Sequence, residues 1–278
     1  MPELPEVELV ARALDRLVRG RVFASAKLLR PGLAPGNTPR GFARSLRGAR
    51  VERVTRRGKH ILAELDNGHV LITHLRMTGR FLMLPARGAL PKHTHALFRL
   101  EGGGRLAFTD QRHFGLMKVV RAEALSEARE LRDLAPEPFS DEFTPAYLAA
   151  VLARTRRTLK DVLLDQTKVT GLGNIYAAEV LFLARLDPFV PASALTGGGV
   201  ARLHRAILDV LGEAIAHGST MNVDPEDVDG SYFGGGGYDG RWRVYDREGE
   251  PCQGCGEAVS RVSRAGRSTY FCPRCQTR

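Results

Sequence analysis

Nowhere does this 278-residue sequence carry an apolar run approaching the ~18 residues that a membrane-crossing helix needs, which excludes a helical membrane protein. Its opening, Met1-Pro2-Glu3-Leu4-Pro5-Glu6, lacks the basic and then apolar pattern of a secretory signal, so a cytoplasmic address is expected. Lysine is scarce, supplying only six of the 41 basic side chains. Cysteine is missing until position 252, and all four, Cys252, Cys255, Cys272 and Cys275, then fall near the end. A disulfide framework for the whole chain would not produce that distribution, and a metal site would.

The formal net charge is +10, and it is arginine that supplies it. A planar guanidinium fork matches phosphate oxygens better than a point-like ammonium does, which makes nucleic acid the candidate partner. The length suits two domains with a small appended module.

Apolar residues Val7, Val10, Leu14, Leu17 and Val18 recur at helical spacing and predict a helix over 6–18, ended by Gly20. Residues 21–121 read instead as short apolar runs cut by turn signals. The sharpest is Asp66-Asn67-Gly68 between Ile61–Leu65 and Val70–Thr73, a hairpin signature, and Gly102-Gly103-Gly104 marks another turn. Consecutive strands of this kind predict a β-sandwich flanked by the first helix. Ala135-Pro136-Glu137-Pro138 ends the alternation, so a linker is expected near 132–140. Helical periods follow near 144–153, 158–166, 174–186 and 199–217, the last with Val200, Leu203, Ile207, Val210, Leu211 and Ile215 on one face. Thr170-Gly171-Leu172-Gly173-Asn174 is a tight glycine turn, with Asn174 as the expected N-cap of the next helix. Residues 218–240, rich in Gly, Asp and Ser and carrying Tyr232, Phe233 and Tyr238, read as a mobile loop with aromatic contacts. The expected class is α+β in three parts: 1–132 a β-sandwich, 133–240 helical with a long loop, and 241–278 a zinc finger.

The four cysteines form C-x2-C-x16-C-x2-C, a spacing that lets two turns each offer two thiolates to one tetrahedral Zn²⁺. With all four positions filled, that ion is structural. Between the pairs, Gly266 centres a hairpin that presents Arg261, Arg264 and Arg267, and residues 241–278 hold eight Arg against four acidic side chains. At the other end, a small second residue permits removal of Met1 and leaves Pro2 with a free secondary amine. An α-amino pKa near ~8 leaves part of that amine unprotonated at neutral pH and able to attack an electrophilic sugar carbon. Glu3 and Glu6 stand beside it, where one carboxyl can shuttle protons while the other orients or balances the amine. The plain alternative is that Pro5 and these glutamates are simply good first-turn helix residues.

Met1-Pro2-Glu3-Leu4-Pro5-Glu6-Val7-Glu8 together with the terminal cysteine pattern resembles the formamidopyrimidine-DNA glycosylases, which excise 8-oxoguanine and cleave the resulting abasic site. Further matching blocks are Arg57-Gly58-Lys59, His74-Leu75-Arg76-Met77-Thr78-Gly79, Lys92-His93-Thr94-His95, Asp110-Gln111-Arg112-His113-Phe114-Gly115, Leu172-Gly173-Asn174-Ile175-Tyr176 and Arg267–Cys272. The resemblance implies that Pro2 attacks C1′ of the damaged nucleotide, that Glu3 opens the sugar as general acid, and that Lys59 donates a proton during β-elimination. It assigns Arg267 to δ-elimination, although a guanidinium with pKa above ~12 is a poor acid and suits phosphate clamping better. It makes Met77, Arg112 and Phe114 the wedge that fills the gap left by a flipped base, with His74, His93, Arg156 and Asn174 as further DNA contacts. It turns the 133–240 part into a helix–two-turn–helix DNA-binding domain whose 218–240 loop covers the flipped base. A monomer acting on duplex DNA containing an oxidised base, in bacterial base excision repair at the nucleoid, is the implied picture. Gln111, His113 and Arg76 depart from the common family pattern of Pro, Arg and Gly, which touches preference for the opposite base.

Two other readings share these features. The endonuclease VIII type also uses an amino-terminal proline but acts on oxidised pyrimidines, and Leu4 stands where that group typically has Gly. A non-catalytic zinc-finger DNA-binding protein fits the charge and the cysteines but gives Pro2 and Lys59 no purpose. His93 and His95 have the spacing of a metal pair on one strand face, with no third ligand evident.

Overall fold

In the computed structural model, which describes residues 1–224, 226, 235–264 and 266–277, the first helix, α1, spans Leu4–Val18. It begins at Leu4 rather than Glu6 because Glu3 and Glu6 close a reciprocal capping box and Pro5 sits in the first turn, where its missing N–H costs nothing. Eight strands follow: β1 (Phe23–Leu28), β2 (Val51–Arg57), β3 (His60–Leu65), β4 (His69–His74), β5 (Gly79–Leu84), β6 (Thr94–Leu100), β7 (Arg105–Asp110) and β8 (Leu116–Arg121). They form two antiparallel four-stranded sheets, ordered β1-β6-β7-β5 and β2-β3-β4-β8. The Asp66-Asn67-Gly68 turn joins β3 to β4 as its chemistry predicts, and Gly102-Gly103-Gly104 joins β6 to β7.

The two sheets share one core, in which Phe23, Phe98 and Phe108 of one meet Val54, Ile61 and Leu71 of the other. Side chains buried this completely contribute about 1.5–3 kcal/mol each. Helix α1 adds Val7, Val10 and Leu14 to that core and packs on β2. A second helix, α2 (Pro39–Leu46), lies in the stretch read from sequence as strands only. Its signals are local: Thr38 accepts the Gly41 N–H at 3.0 Å, Pro39 opens the first turn, and Phe42 and Leu46 fall one turn apart and are fully buried.

The chain divides into two compact units, Met1–Arg132 with Gly218–Gly237, and Asp133–His217 with Tyr238–Arg278. The described residues of 218–237 thus group with the sandwich and not with the helical part, since Thr220 bonds Glu6 and Val223 packs on the sandwich core. Tyr232, Phe233 and Gly234 lie outside the described residues. Tyr238, expected among the loop aromatics, is fully buried in the second unit, its ring 6.2 Å from that of Tyr176.

The second unit contains α3 (Pro145–Ala153), α4 (Leu159–Leu163), α5 (Asn174–Leu183), α6 (Gly197–Ala216) and a hairpin of β9 (Ser260–Arg264) and β10 (Arg267–Phe271). Thr144 and Thr158 cap α3 and α4, accepting the N–H groups of Tyr147 at 3.0 Å and Asp161 at 3.2 Å. The fully buried Glu179 on α5 accepts the N–H groups of Arg243 (2.8 Å), Val244 (2.9 Å) and Tyr245 (2.9 Å), fixing the chain that leads into the cysteine hairpin. Among the described residues no helix is long and apolar enough to cross a membrane.

Candidate functional site

The amino-terminal cluster is assembled by α1. Pro2 is buried, and Glu3 and Glu6 are 2% and 1% exposed. The Glu3 N–H donates to Glu6 Oε2 at 2.9 Å, which holds the second carboxylate over the first turn. Burial pushes the Met1 amine below its ordinary value of 8.0, and the charges of Lys59 and Arg112 act in the same direction against those of Glu3 and Glu6. Thus Glu3, Glu6, Lys59 and Arg112, singled out from three distant motifs, all act on the amine next to Pro2.

Lys59 reaches that cluster from the turn between β2 and β3. Arg57 pairs with His60 across it, leaving Gly58-Lys59 as a two-residue connection with Gly58 at φ +57. Such a turn demands a left-handed first residue, which glycine supplies. Lys59 is 5% exposed. Behind it, His60 and His74 face each other across β3 and β4 with rings edge-on at 4.7 Å. Burial and the Arg76 charge lower the His60 pKa to about 4 against a backbone hydrogen bond at Arg57 and the Glu130 charge; burial, His60 and the Arg76 charge lower that of His74 to about 2. Both rings are neutral at pH 7, and His74 Nδ1 accepts the Arg76 N–H at 3.0 Å.

Met77 and the pair Arg112 and Phe114 sit on two loops tied together by one carboxylate. Asp110, 1% exposed, accepts the Thr78 hydroxyl and the Arg112 N–H (3.2 Å) on Oδ1 and the Gly115 N–H (2.6 Å) on Oδ2. Thr78 Oγ1 in turn accepts the Arg112 N–H at 3.0 Å. The loop therefore presents Phe114, 56% exposed, with the Arg112 guanidinium 5.2 Å above its ring. An apolar side chain held out in water beside a cation has the make-up of a base-stack wedge. His93 is exposed and has left-handed backbone (φ 60) ahead of β6, so it does not share a strand face with His95. His95 Nε2 lies 2.8 Å from the Asp110 carbonyl and 2.9 Å from His113 Nδ1, an arrangement of hydrogen bonds.

In the second unit, Gly173 and not Asn174 is the N-cap of α5, its extended backbone (φ −128, ψ −155) turning the chain into the helix. Asn174 is the first helical residue, and its buried Oδ1 has no hydrogen-bond partner. The N–H groups of a helix N-terminus suit an anion, while the unpartnered Oδ1 can only accept. Arg156, on the turn before α4, is exposed. Arg267 opens β10 and borders a cleft of about 290 Å³ with Thr158, Lys160, Phe189, Arg264 and Thr269. Lys160, unnoticed in the sequence, is 5% exposed and donates to the Ser268 carbonyl (2.6 Å) and Thr269 Oγ1 (2.8 Å), locking the strand beside Arg267.

The four cysteine Sγ atoms lie within 4.8 Å of one another, with Cys252 to Cys275 at 3.9 Å and Cys255 to Cys272 at 3.5 Å. A zinc–thiolate bond near ~2.3 Å gives a tetrahedral edge of about 3.8 Å, so the set fits the ion. The N–H groups of Gly254 and Cys275 point at Cys252 Sγ and Cys272 Sγ, both at 3.4 Å, as outer partners of thiolate ligands do. One Zn²⁺ held by all four thiolates leaves no open position, and its contribution is to fold the hairpin.

The partners that sequence reasoning missed are Thr220, Asp110 with Thr78, Lys160 and Glu179. A lone Thr or Asp carries no periodic signal. The stretch Asp110–Gly115, read only as a matching block, was the one available clue.

Comparison with known proteins places these features. Residues 1–117 match the formamidopyrimidine-DNA glycosylase N-terminal domain, 134–224 its H2TH domain, and 249–278 a zinc finger found in FPG and IleRS. The chain is 40% identical over 279 residues to the formamidopyrimidine-DNA glycosylase of Desulforamulus reducens, covering 99% of each, and 44% identical over 296 residues to that of Azorhizobium caulinodans, covering 99% of this chain and 100% of the other. It superimposes on Lactococcus lactis Fpg in complex with abasic-site DNA with a TM-score of 0.91 at 30% identity, covering 99% of this chain and 100% of that one. A complex of MutM with DNA containing carbocyclic 8-oxo-G gives the same TM-score and identity, covering 100% of both chains.

Proposed function

The chain belongs to the formamidopyrimidine-DNA glycosylase family, and on that premise we propose that it excises oxidised purines from duplex DNA in base excision repair and then cuts the strand, with Pro2 as nucleophile. The observation that carries this reading is the amino-terminal cluster, in which buried Pro2 stands with the buried Glu3, Glu6 and Lys59.

Removal of Met1 passes the terminal position to Pro2. In the full chain the Met1 amine at this place is kept below its ordinary pKa by burial and by two neighbouring cations, and a Pro2 amine set among the same groups is available unprotonated at neutral pH. Its lone pair forms the N–C1′ bond as the glycosidic bond breaks; the base departs with the bonding electrons and takes up the N–H proton that the nitrogen sheds, which returns a lone pair to the nitrogen. Glu3 donates a proton to the sugar ring oxygen as the ring opens, and the nitrogen lone pair completes an iminium. That cation acidifies the C2′ hydrogen, whose loss expels the 3′ phosphate, with Lys59 moving the proton. Glu6 orients and balances the amine. Met77, Arg112 and Phe114 fill the space vacated by the flipped nucleotide. His74, His93, Arg156, Asn174 and Arg267 contact the DNA, Arg267 as a phosphate clamp. Chemistry and the wedge thus reside in the sandwich unit, with His74 and His93 among its DNA contacts, and the helical unit with its zinc hairpin adds further grip. The protein acts as a monomer in the bacterial cytoplasm.

Borohydride added to the protein with a duplex holding one 8-oxoguanine opposite cytosine traps a covalent adduct, and peptide mass spectrometry maps it to Pro2. Pro2→Gly loses efficient excision while retaining DNA binding. Full excision by that variant, or an adduct on another residue, overturns the mechanism. Excision confined to oxidised pyrimidines moves the chain to the endonuclease VIII type.

A further inference from the structure

Glu6 is gripped from two directions. Its Oε2 accepts the Glu3 N–H at 2.9 Å, a contact internal to the first turn of α1. Its Oε1 accepts both the N–H (3.2 Å) and the hydroxyl (2.9 Å) of Thr220, a residue 214 positions away in sequence. Glu6 is 1% and Thr220 5% exposed, so neither bond competes with bulk water. Hydrogen bonds to a carboxylate are stronger than neutral ones, and burial raises the cost of losing them.

Thr220 is itself held by contacts that owe nothing to Glu6. Ser219, fully buried, has left-handed backbone at φ +57, a conformation that a non-glycine residue keeps only when its surroundings enforce it. Gly236 presses against the same stretch. A Cβ there would lie 2.4 Å from the Ser219 carbonyl oxygen and 2.5 Å from the Met221 nitrogen, so no side chain fits. Met221 and Gly235 form an isolated bridge beside it. The chain at 219–221 is thus a fixed support, and the carboxylate conforms to it.

We propose that Thr220 is a positioning residue for Glu6, fixing the plane of its carboxylate beside the terminal amine. One oxygen is set by the helix that carries Glu6 and the other by a segment that returns to the sandwich only after residue 217. With both oxygens occupied, the carboxylate cannot rotate, and its charge stays aimed. The inference rests on the functional reading above, in which Glu6 orients and balances the Pro2 amine.

The test compares wild type, Thr220→Val, Thr220→Ala and Thr220→Ser in single-turnover excision of 8-oxoguanine, alongside affinity for a duplex carrying a stable abasic analogue. Losing one buried, charge-assisted hydrogen bond lowers the excision rate constant about 10- to 100-fold in the Val variant, with affinity unchanged within about threefold. Thr220→Ala, which adds no apolar group beside the carboxylate, reproduces the loss, and Thr220→Ser restores the rate to within about threefold of wild type. A purely structural tie predicts parallel losses in affinity and rate. Excision by Val and Ala at the wild-type rate, or a Ser variant as slow as Val, overturns the inference while leaving the functional reading intact. A wild-type chain that leaves the lesion uncut overturns that reading and the inference with it.

Discussion

Acid should weaken the sandwich unit through the His60–His74 pair before its carboxylates are titrated. Both rings are more than nine-tenths buried and stand edge to face at 4.7 Å. The His60 pKa falls from 6.5 to about 4. A depressed histidine pKa means that the unfolded chain binds the proton more readily, so stability is complete above pH 6.5 and drains away as pH falls towards 4. A gap of that size caps the effect at about 3.4 kcal/mol, of which linkage removes about 2 kcal/mol per ring between pH 7 and pH 5. His74, lowered further to about 2, responds at least as strongly over that window. Together the two rings cost about 4 kcal/mol, or about 8–16 °C in Tm for a unit of this size. Thermal melts from pH 7.5 to 5 should show that fall in wild type and about half of it in His60→Phe, which keeps an aromatic edge against His74 but cannot be protonated. Equal acid sensitivity in the two proteins, or imidazole resonances that titrate near pH 6.5 by NMR, would refute the reasoning.

Asp110→Ala strands the Thr78 hydroxyl and the Gly115 N–H and leaves the Arg112 N–H only its bond to Thr78, and should cost about 3 kcal/mol in calorimetry while weakening binding to abasic-analogue duplex. Glu179→Ala leaves three buried N–H groups without an acceptor and should lower the unfolding free energy of the helical unit by about 3 kcal/mol, read by urea titration. Cys252→Ala opens the zinc site, so bound metal measured by atomic absorption should fall below one equivalent and DNA affinity by fluorescence anisotropy should fall with it. Undiminished affinity in that variant would dissociate the hairpin from DNA binding.

What was legible in the sequence is what short-range physics controls. The α1 repeat, the Asp66-Asn67-Gly68 turn, the cysteine spacing and the Gly266-centred hairpin each depend on neighbours within a few positions, and each stands where expected. Helix α2 was equally local in its signals, Thr38 and Pro39, but it is short and embedded among strand-like runs that dominated the pattern. The capping role moved from Asn174 to Gly173 because glycine turned the corner one residue earlier. Thr220, Asp110, Lys160 and Glu179 were illegible for another reason. Each acts on a partner that only the folded chain brings near, as Lys160 does with Thr269, 109 positions away. The candidate site was visible as separate motifs, while the scaffolding that holds them in register was not.

The single carboxylate of Asp110 fastens two loops at once, and this joins their fates. A substitution, insertion or deletion in 76–78 is felt in 111–115, and the reverse, because the same two oxygens serve both. Variation in one tip therefore has to be matched in the other. Shuffling these loops between relatives should succeed when they travel as a set and fail when they are exchanged singly.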